Sequence, residues 1–255
     1  MEANGQTIYS SHFSGPHQTK VIRGYVITAD HEQARLANVQ QLLSQLPGLK
    51  KAAAIYPEKQ RVPFSSLILA TARHRRGNPY LPGELGVLLS NRRIWMDIRA
   101  TATTNEHFLI VESDSQINDL TLLQKEFAAL TSSYDLFFWG AWLGNMVLKR
   151  STRSKVDETY EVGEAFLPSV SGAYGYSLNR KAANHLLKKT GKLQWPVDEF
   201  KRYIDPTYLR VGGIVPEVIT QGPGVSTIEK EANARINWTL IKLLNIRNQL
   251  LAYCS

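Results

Sequence analysis

Residues 21–56 read VIRGYVITADHEQARLANVQQLLSQLPGLKKAAAIY, and this stretch decides the fold class. VIRGYVITAD (21–30) is a short β-branched and aromatic run that ends in Thr28 and Asp30. In the segment after it, Leu36, Val39, Leu42, Leu43 and Leu46 recur at helical spacing, with Asp30 as a candidate cap and Pro47-Gly48 as the stop. KAAAIY (51–56) is a candidate second strand. Strand, helix and strand in this order form a βαβ opening, which predicts an α/β sheet.

Outward from this opening, strands and helices keep alternating. Residues 57–82 read as irregular and basic, with Arg73, His74, Arg75 and Arg76 consecutive. GELGVLLSNRRIWMDIRA (83–100) predicts a helix with Leu85, Leu88, Leu89, Arg92 and Trp95 near one face. HFLIV (107–111) has the texture of a buried central strand, and a helix near Leu120–Leu130 and an apolar strand Asp135–Trp139 follow. Next come a strand GAYGYSL (172–178), a helix Asn179–Lys189, a short proline-opened helix WPVDEFKRYI (195–204) and a broken strand VGGIVPEVI (211–219). A tail helix is expected over roughly Ala232–Tyr253. The expected organisation is a loose leader at 1–20, one α/β domain at 21–228 and a helical extension at 229–255.

The 30 Lys and Arg against 22 Asp and Glu give a net charge of +8, which points to an anionic partner: nucleic acid, phosphorylated substrate or membrane surface. With 43% hydrophobic and 20% charged residues the chain is not disordered throughout. The single cysteine, Cys254, excludes an intrachain disulfide framework and a multi-cysteine zinc site, and favours a reducing compartment. The first 20 residues lack the basic and apolar regions of a secretory signal. The longest mostly apolar run, Leu136–Leu148, covers 13 residues, short of the roughly 20 needed to span a bilayer. A cytoplasmic location is the resulting expectation.

Chemistry is concentrated in FLIVESDSQ (108–116), where an apolar strand runs into Glu112-Ser113-Asp114. Open α/β sheets bind ligands beyond the carboxyl ends of their strands. Alternation along an extended chain places Glu112 and Asp114 on one side and Ser113 on the other. Converging carboxylates suit a hard divalent ion, Mg²⁺ or Mn²⁺, that also takes phosphate oxygens from a substrate. The alternative is a polar strand-end turn in which Asp114 caps the next helix. No GxxxxGK[ST] loop, GxSxG elbow or HExxH pair occurs, and GPGVST (222–227) is only a fragment of a glycine loop.

The order of segments resembles glycosyltransferase family 25, which includes bacterial lipopolysaccharide and lipooligosaccharide galactosyltransferases. The resemblance covers roughly residues 21–228. In YVITADHEQAR, Asp30 and Arg35 match the family's strand-end aspartate and following arginine. In GELGVLLSNRRIW, Gly83, Glu84, Gly86, Ser90 and Trp95 match, while Val87 replaces a cysteine and Asn91 a histidine. In IVESDSQI, Glu112 and Asp114 match the family's Leu-Glu-Asp-Asp-Val segment, with Ser113 in place of its first aspartate. SGAYGYSLNRKAANHLL, then Pro196, Val197 and Asp198 of WPVDEF, and finally PEVITQGPGVSTI resemble the later segments in order.

The resemblance implies a GT-A-like, Rossmann-type sheet flanked by helices, and a metal-assisted, usually inverting transfer of hexose, usually galactose, from a UDP-sugar to a lipopolysaccharide-type acceptor. It puts Thr28, Asp30, Arg35 and Asp114 at the donor and Glu112 and Asp114 on Mn²⁺ or Mg²⁺. It offers Asp198, and second Glu84, as the carboxylate acting on the acceptor hydroxyl. A leaving nucleoside diphosphate needs a cation, and inversion needs one general base. Peripheral contact with an anionic inner membrane is compatible with the charge. Nucleic acid is the least favoured partner, because the basic clusters lack interleaved aromatics. A different nucleotide sugar and a non-catalytic polyanion-binding protein are the alternatives. Tyr174, Tyr176, Trp139 and Trp142 are candidates either for stacking on a sugar or for core packing. The tail helix is expected to pack on its own core or a second subunit, or to lie on lipid.

Overall fold

The computed structural model describes residues 21–60, 62–76, 80–222 and 238–253. The expected leader, the boundary near residue 228, most of GPGVST and Cys254 lie outside them. The βαβ opening forms: β1 (Gly24–Thr28), α1 (Gln33–Gln45) and β2 (Leu49–Ala53), with β1 and β2 parallel and Gly24 opposite Leu49. That register starts the second strand at Leu49 rather than at Lys51. Asp30 does not cap α1. The flanking residue is Glu32, without a side-chain cap, because a turn from Ala29 to Glu32 separates Asp30 from the first helical amides.

The supposedly irregular basic stretch holds a helix, α2 (Ser65–Arg76), which packs through Ala72 against Tyr80 and Leu85. Its apolar positions Leu67, Ile68, Leu69 and Ala72 were masked in the sequence by the arginines that end it. Then follow α3 (Pro82–Thr101), β3 (Phe108–Glu112), β4 (Ser115–Ile117), α4 (Leu120–Thr131) and β5 (Leu136–Gly140). The chain continues through β6 (Ser154–Lys155), β7 (Glu161–Glu164), β8 (Gly175–Leu178), α5 (Arg180–Lys189), β9 (Val211–Val215), β10 (Ile219–Gln221) and α6 (Trp238–Tyr253). The caps of α4 and α5 follow ordinary rules: the Asp119 side chain accepts from Leu122 N–H, and that of Asn179 from Ala182 N–H. WPVDEFKRYI yields only a single 3₁₀ turn at Phe200–Arg202, and Val197 and Phe200 are both buried in the core.

An eight-stranded mixed sheet runs in the order β2-β1-β3-β8-β5-β9-β7-β6, and β10 pairs with β4 in a small second sheet. β1, β2 and β3 are parallel, as are β5 and β9, while β8 lies antiparallel between β3 and β5. All five parallel strands therefore end at one edge. Alternation sends Tyr25, Ile27, Phe108 and Ile110 to one face, where they pack with Leu88, Trp95, Phe138, Tyr176, Leu186 and Phe200. Val26, Leu109, Val111, Phe137 and Trp139 turn to the other face and meet Val39, Leu42, Leu123 and Phe127. The result is a helix–sheet–helix sandwich with α3 and α5 on one side and α1 and α4 on the other. Among the described residues no helix is long and apolar enough to cross a membrane.

His107, at the foot of β3, is buried; its Nε2 donates to the Tyr134 carbonyl at 2.9 Å and its Nδ1 has no partner. A second proton would bury an unpaired cationic N–H, so burial pushes the imidazole down to about 4. Below its ordinary value near 6.5 the unfolded chain takes up this proton and the folded chain does not. Stability is therefore complete above that pH and is lost as pH falls towards 4. We expect about 2 to 3 kcal/mol of acid lability from this group. Urea denaturation between pH 7 and pH 4 should show it, and His107→Gln should flatten that part of the profile.

Candidate active site

β1 and β3 end side by side, with Ile27 opposite Glu112, and the carboxylates gather at this junction. Glu112 follows Phe108 and Ile110 in the alternation and so faces the α3 and α5 side. The strand stops there. Ser113 and Asp114 form the turn into β4, and the alternation expected for Glu112, Ser113 and Asp114 ends with the strand. Arg35, on the first turns of α1, reaches over this turn: its Nη2 lies 3.1 Å from Asp114 Oδ2 and its Nη1 donates to Ser113 Oγ at 3.1 Å. Asn38, close to one turn further along α1, donates to the carbonyls of Ser113 and Ser115 at 2.8 and 2.9 Å. The turn is thus clamped by α1, and Asp114 does not cap α4.

Asp114 is only 8% exposed, and its second oxygen, Oδ1, is buried without a hydrogen-bond partner. Thr28, the last residue of β1, is 5% exposed with its Oγ1 likewise unpartnered. Buried acceptors are rarely left unpaired, because each costs about 1–3 kcal/mol. Ser113 Oγ donates to Glu32 Oε2 at 3.3 Å, and Tyr56 hydrogen-bonds to the same Glu32 carboxylate while its ring meets His31 edge-on at 4.6 Å. An aspartate at position 113 could not donate to Glu32; the serine and Glu32 belong together. Asp30 is exposed at the rim of this group.

On the other side of the junction, burial and the charges of Asp198 and Asp114 push Glu112 up to about 8. Asp198 is raised to about 6, by the protein packed around it and by the charges of Glu84 and Glu199. Glu112 is half-buried and Asp198 exposed, so water still reaches both groups. The Asp198 segment is held in place by Gly172 N–H, which donates to the Asp198 carbonyl at 3.2 Å. Glu84 Oε2 accepts the Leu81 N–H at 2.9 Å at the start of α3, so its nearest duty is to the helix end.

Several sequence candidates settle into the core. Tyr176 and Trp139 are fully buried and line no sugar site. The Tyr176 hydroxyl donates to Asn91 Oδ1 at 2.5 Å and accepts from Trp95 Nε1 at 2.9 Å, and Asn91 Nδ2 donates to the Val87 carbonyl at 2.9 Å. Asn91 is therefore a satisfied core amide. Trp142's side chain lies outside the described residues.

One group at the same edge was not foreseen. Glu217, just beyond β9, accepts from Ala141 N–H at 2.9 Å, from Gly144 N–H and from the Tyr174 hydroxyl, and Tyr174 in turn accepts from Leu143 N–H at 2.9 Å. Leu143 and Gly144 have φ of 52° and 78°, so this carboxylate pins a left-handed turn beyond β5. Its sequence signal was a second strand-end carboxylate, in VGGIVPE, of the kind already noted at Glu112. Close to the Asp198 segment, Leu167, Pro168, Trp195, Lys201 and Arg202 line a cleft of about 520 Å³, with the Arg202 guanidinium 3.9 Å from the Trp195 ring centre.

Among the described residues no group of three or more His, Cys, Asp or Glu is arranged to hold a metal ion. The unpartnered Asp114 Oδ1 and the adjacent Glu112 fit instead the sparse kind of site, with one or two carboxylates and the rest supplied by water and phosphate oxygens. Comparison of the chain with protein-family models finds no match, and comparison with curated proteins finds none either.

Proposed function

We propose that the protein is a nucleotide-sugar transferase of GT-A type, moving a hexose from a UDP-sugar, with galactose the first candidate, to a lipopolysaccharide-type oligosaccharide. The observation that carries this is the unsatisfied, buried Asp114 oxygen at the carboxyl edge of a parallel sheet segment, close enough to Glu112 for its charge to raise that carboxyl. Asp30 and Arg35 stand at the nucleotide end of the donor. Arg35 holds the Ser113-Asp114 turn rigid, so Asp114 keeps its free oxygen aimed at one place. Asp114, with Glu112 beside it, would hold a divalent ion, which would supply positive charge to the leaving diphosphate.

Asp198 takes the proton from the acceptor hydroxyl as that oxygen attacks the anomeric carbon. A carboxylate raised to about 6 is still ionised at neutral pH and is a stronger base than an ordinary one. Glu84 contributes through its charge, which raises Asp198, while it caps α3. The cleft at Trp195, Lys201 and Arg202, whose two cations are both held by Glu199, is the place proposed for a phosphorylated sugar acceptor.

Calorimetric titration of UDP-galactose with and without Mn²⁺ tests the assignment. Mn²⁺-dependent binding is expected for the wild type, and Asp114→Asn should weaken it at least about tenfold, the loss of one charge-assisted contact. Absence of binding under either condition would remove galactose as donor. A panel of other nucleotide sugars then separates a changed donor from the loss of the whole class.

A further inference from the structure

Among the described residues the outer face of α6 carries an exposed apolar stripe. Leu243, Ile246, Leu250 and Tyr253 are 59, 56, 66 and 63% exposed and recur at helical spacing. Among the described residues the inner face carries two amides beside half-buried Leu244. Asn248 is 4% exposed, Asn245 donates to Asn145 Oδ1 at 2.9 Å, and Ala252 completes the contact. A helix that only covers its own core distributes these residues the other way round, with leucines inward and amides outward. Among the described residues nothing covers these large apolar side chains, which leaves them open to a partner.

The surroundings say what that is. WTLIKLLNIRNQLLAY contains no acidic residue, and Lys242 and Arg247 are exposed beside the stripe. Against it lies a cleft of about 250 Å³ lined by Arg150, Arg153, Gln249 and Tyr253. The Arg150 guanidinium sits 3.9 Å from the Tyr253 ring centre. Arg153 is 3.7 Å from Glu161. A second copy of the same face would oppose cation to cation with no carboxylate on the helix to answer. An anionic lipid surface answers both features at once, with acyl chains for the stripe and headgroup phosphates for the cations.

We propose that the outer face of α6 docks the protein on an anionic bilayer, lying in the interface rather than crossing it. This does not depend on the transferase reading and is tested without any sugar. The full chain should co-sediment with phosphatidylcholine vesicles containing phosphatidylglycerol, and far less with phosphatidylcholine alone. The combined Leu243→Gln, Ile246→Gln and Leu250→Gln variant should lose this binding while keeping its circular dichroism spectrum. Neutralising Lys242, Arg247 and Arg150 to Gln should weaken it at least about tenfold. As a check that does not remove the stripe, Leu250→Cys in a Cys254→Ser background, carrying an environment-sensitive dye, should shift to the blue on adding anionic vesicles. Three results would each overturn the proposal: no binding to anionic vesicles, undiminished binding by the triple Gln variant, or a wild-type dimer that this variant turns into a monomer.

Discussion

Asp198→Asn should lower kcat for hexose transfer by about 10²- to 10⁴-fold, the usual worth of a positioned general base. Donor affinity should change by no more than a few fold. The side chain is exposed, and the segment is held through its backbone carbonyl, so Asn should fold as Asp does. The wild-type rate should rise with pH through about 6, because the carboxyl is protonated and inactive below that point. Glu84 is one of the charges that raise Asp198. Glu84→Gln keeps an oxygen for the Leu81 amide but removes the charge, so the acid limb should move to lower pH with a smaller loss of rate. An Asp198→Asn enzyme with unchanged turnover would assign the base elsewhere and leave Asp198 as an acceptor contact.

The second large effect is on stability, at a glycine in the sheet. A Cβ on Gly140 would lie 1.8 Å from the Ile219 carbonyl oxygen and 2.7 Å from Tyr174 Cε2. The first obstacle is backbone. β10 cannot withdraw without straining its pairing with β4 and the bond from Val218 N–H to the Trp139 carbonyl, 2.9 Å long. Gly140→Ala should therefore cost more than about 3 kcal/mol, beyond the usual range for overpacking, measured as a lower urea midpoint or as failure to accumulate folded protein. Gly191→Ala is the control: nothing lies within 4 Å of its Cβ position, and a change within about 0.5 kcal/mol is expected. Equal effects at both positions would mean that the β10 crossing is not rigid.

The opening βαβ unit, the buried β3 and the tail helix were legible because each signals through its own local pattern of apolar residues. α2 was not, because its last turn is a run of Arg and His whose charge hides a short apolar face. The strand-end carboxylates were legible as a group, but their geometry was not. Two-residue alternation describes Glu112 and fails at Asp114, where the strand has already turned and Arg35, far off in sequence, sets the direction. Asn91, singled out through the family resemblance, and Tyr176, a candidate for stacking or for core packing, prove to be partners inside the core, a pairing that joins α3 to β8 and that no local pattern announces. Glu217 was missed for the same reason, since its partners at 141, 144 and 174 are distant in the chain.

The insertion of β8 between β3 and β5 has a consequence for how the protein is made. β3 and β5 emerge early and are almost wholly apolar, FLIVE and LFFWG, but the strand that joins them ends only at Leu178. At ordinary synthesis rates of roughly 5–20 residues per second, β3 waits several seconds with an unpaired edge. Such edges invite pairing with other chains. The nascent chain thus passes through a window of vulnerability that closes when residues 175–178 leave the ribosome, and fragments ending before Gly175 should be the ones that chaperones hold.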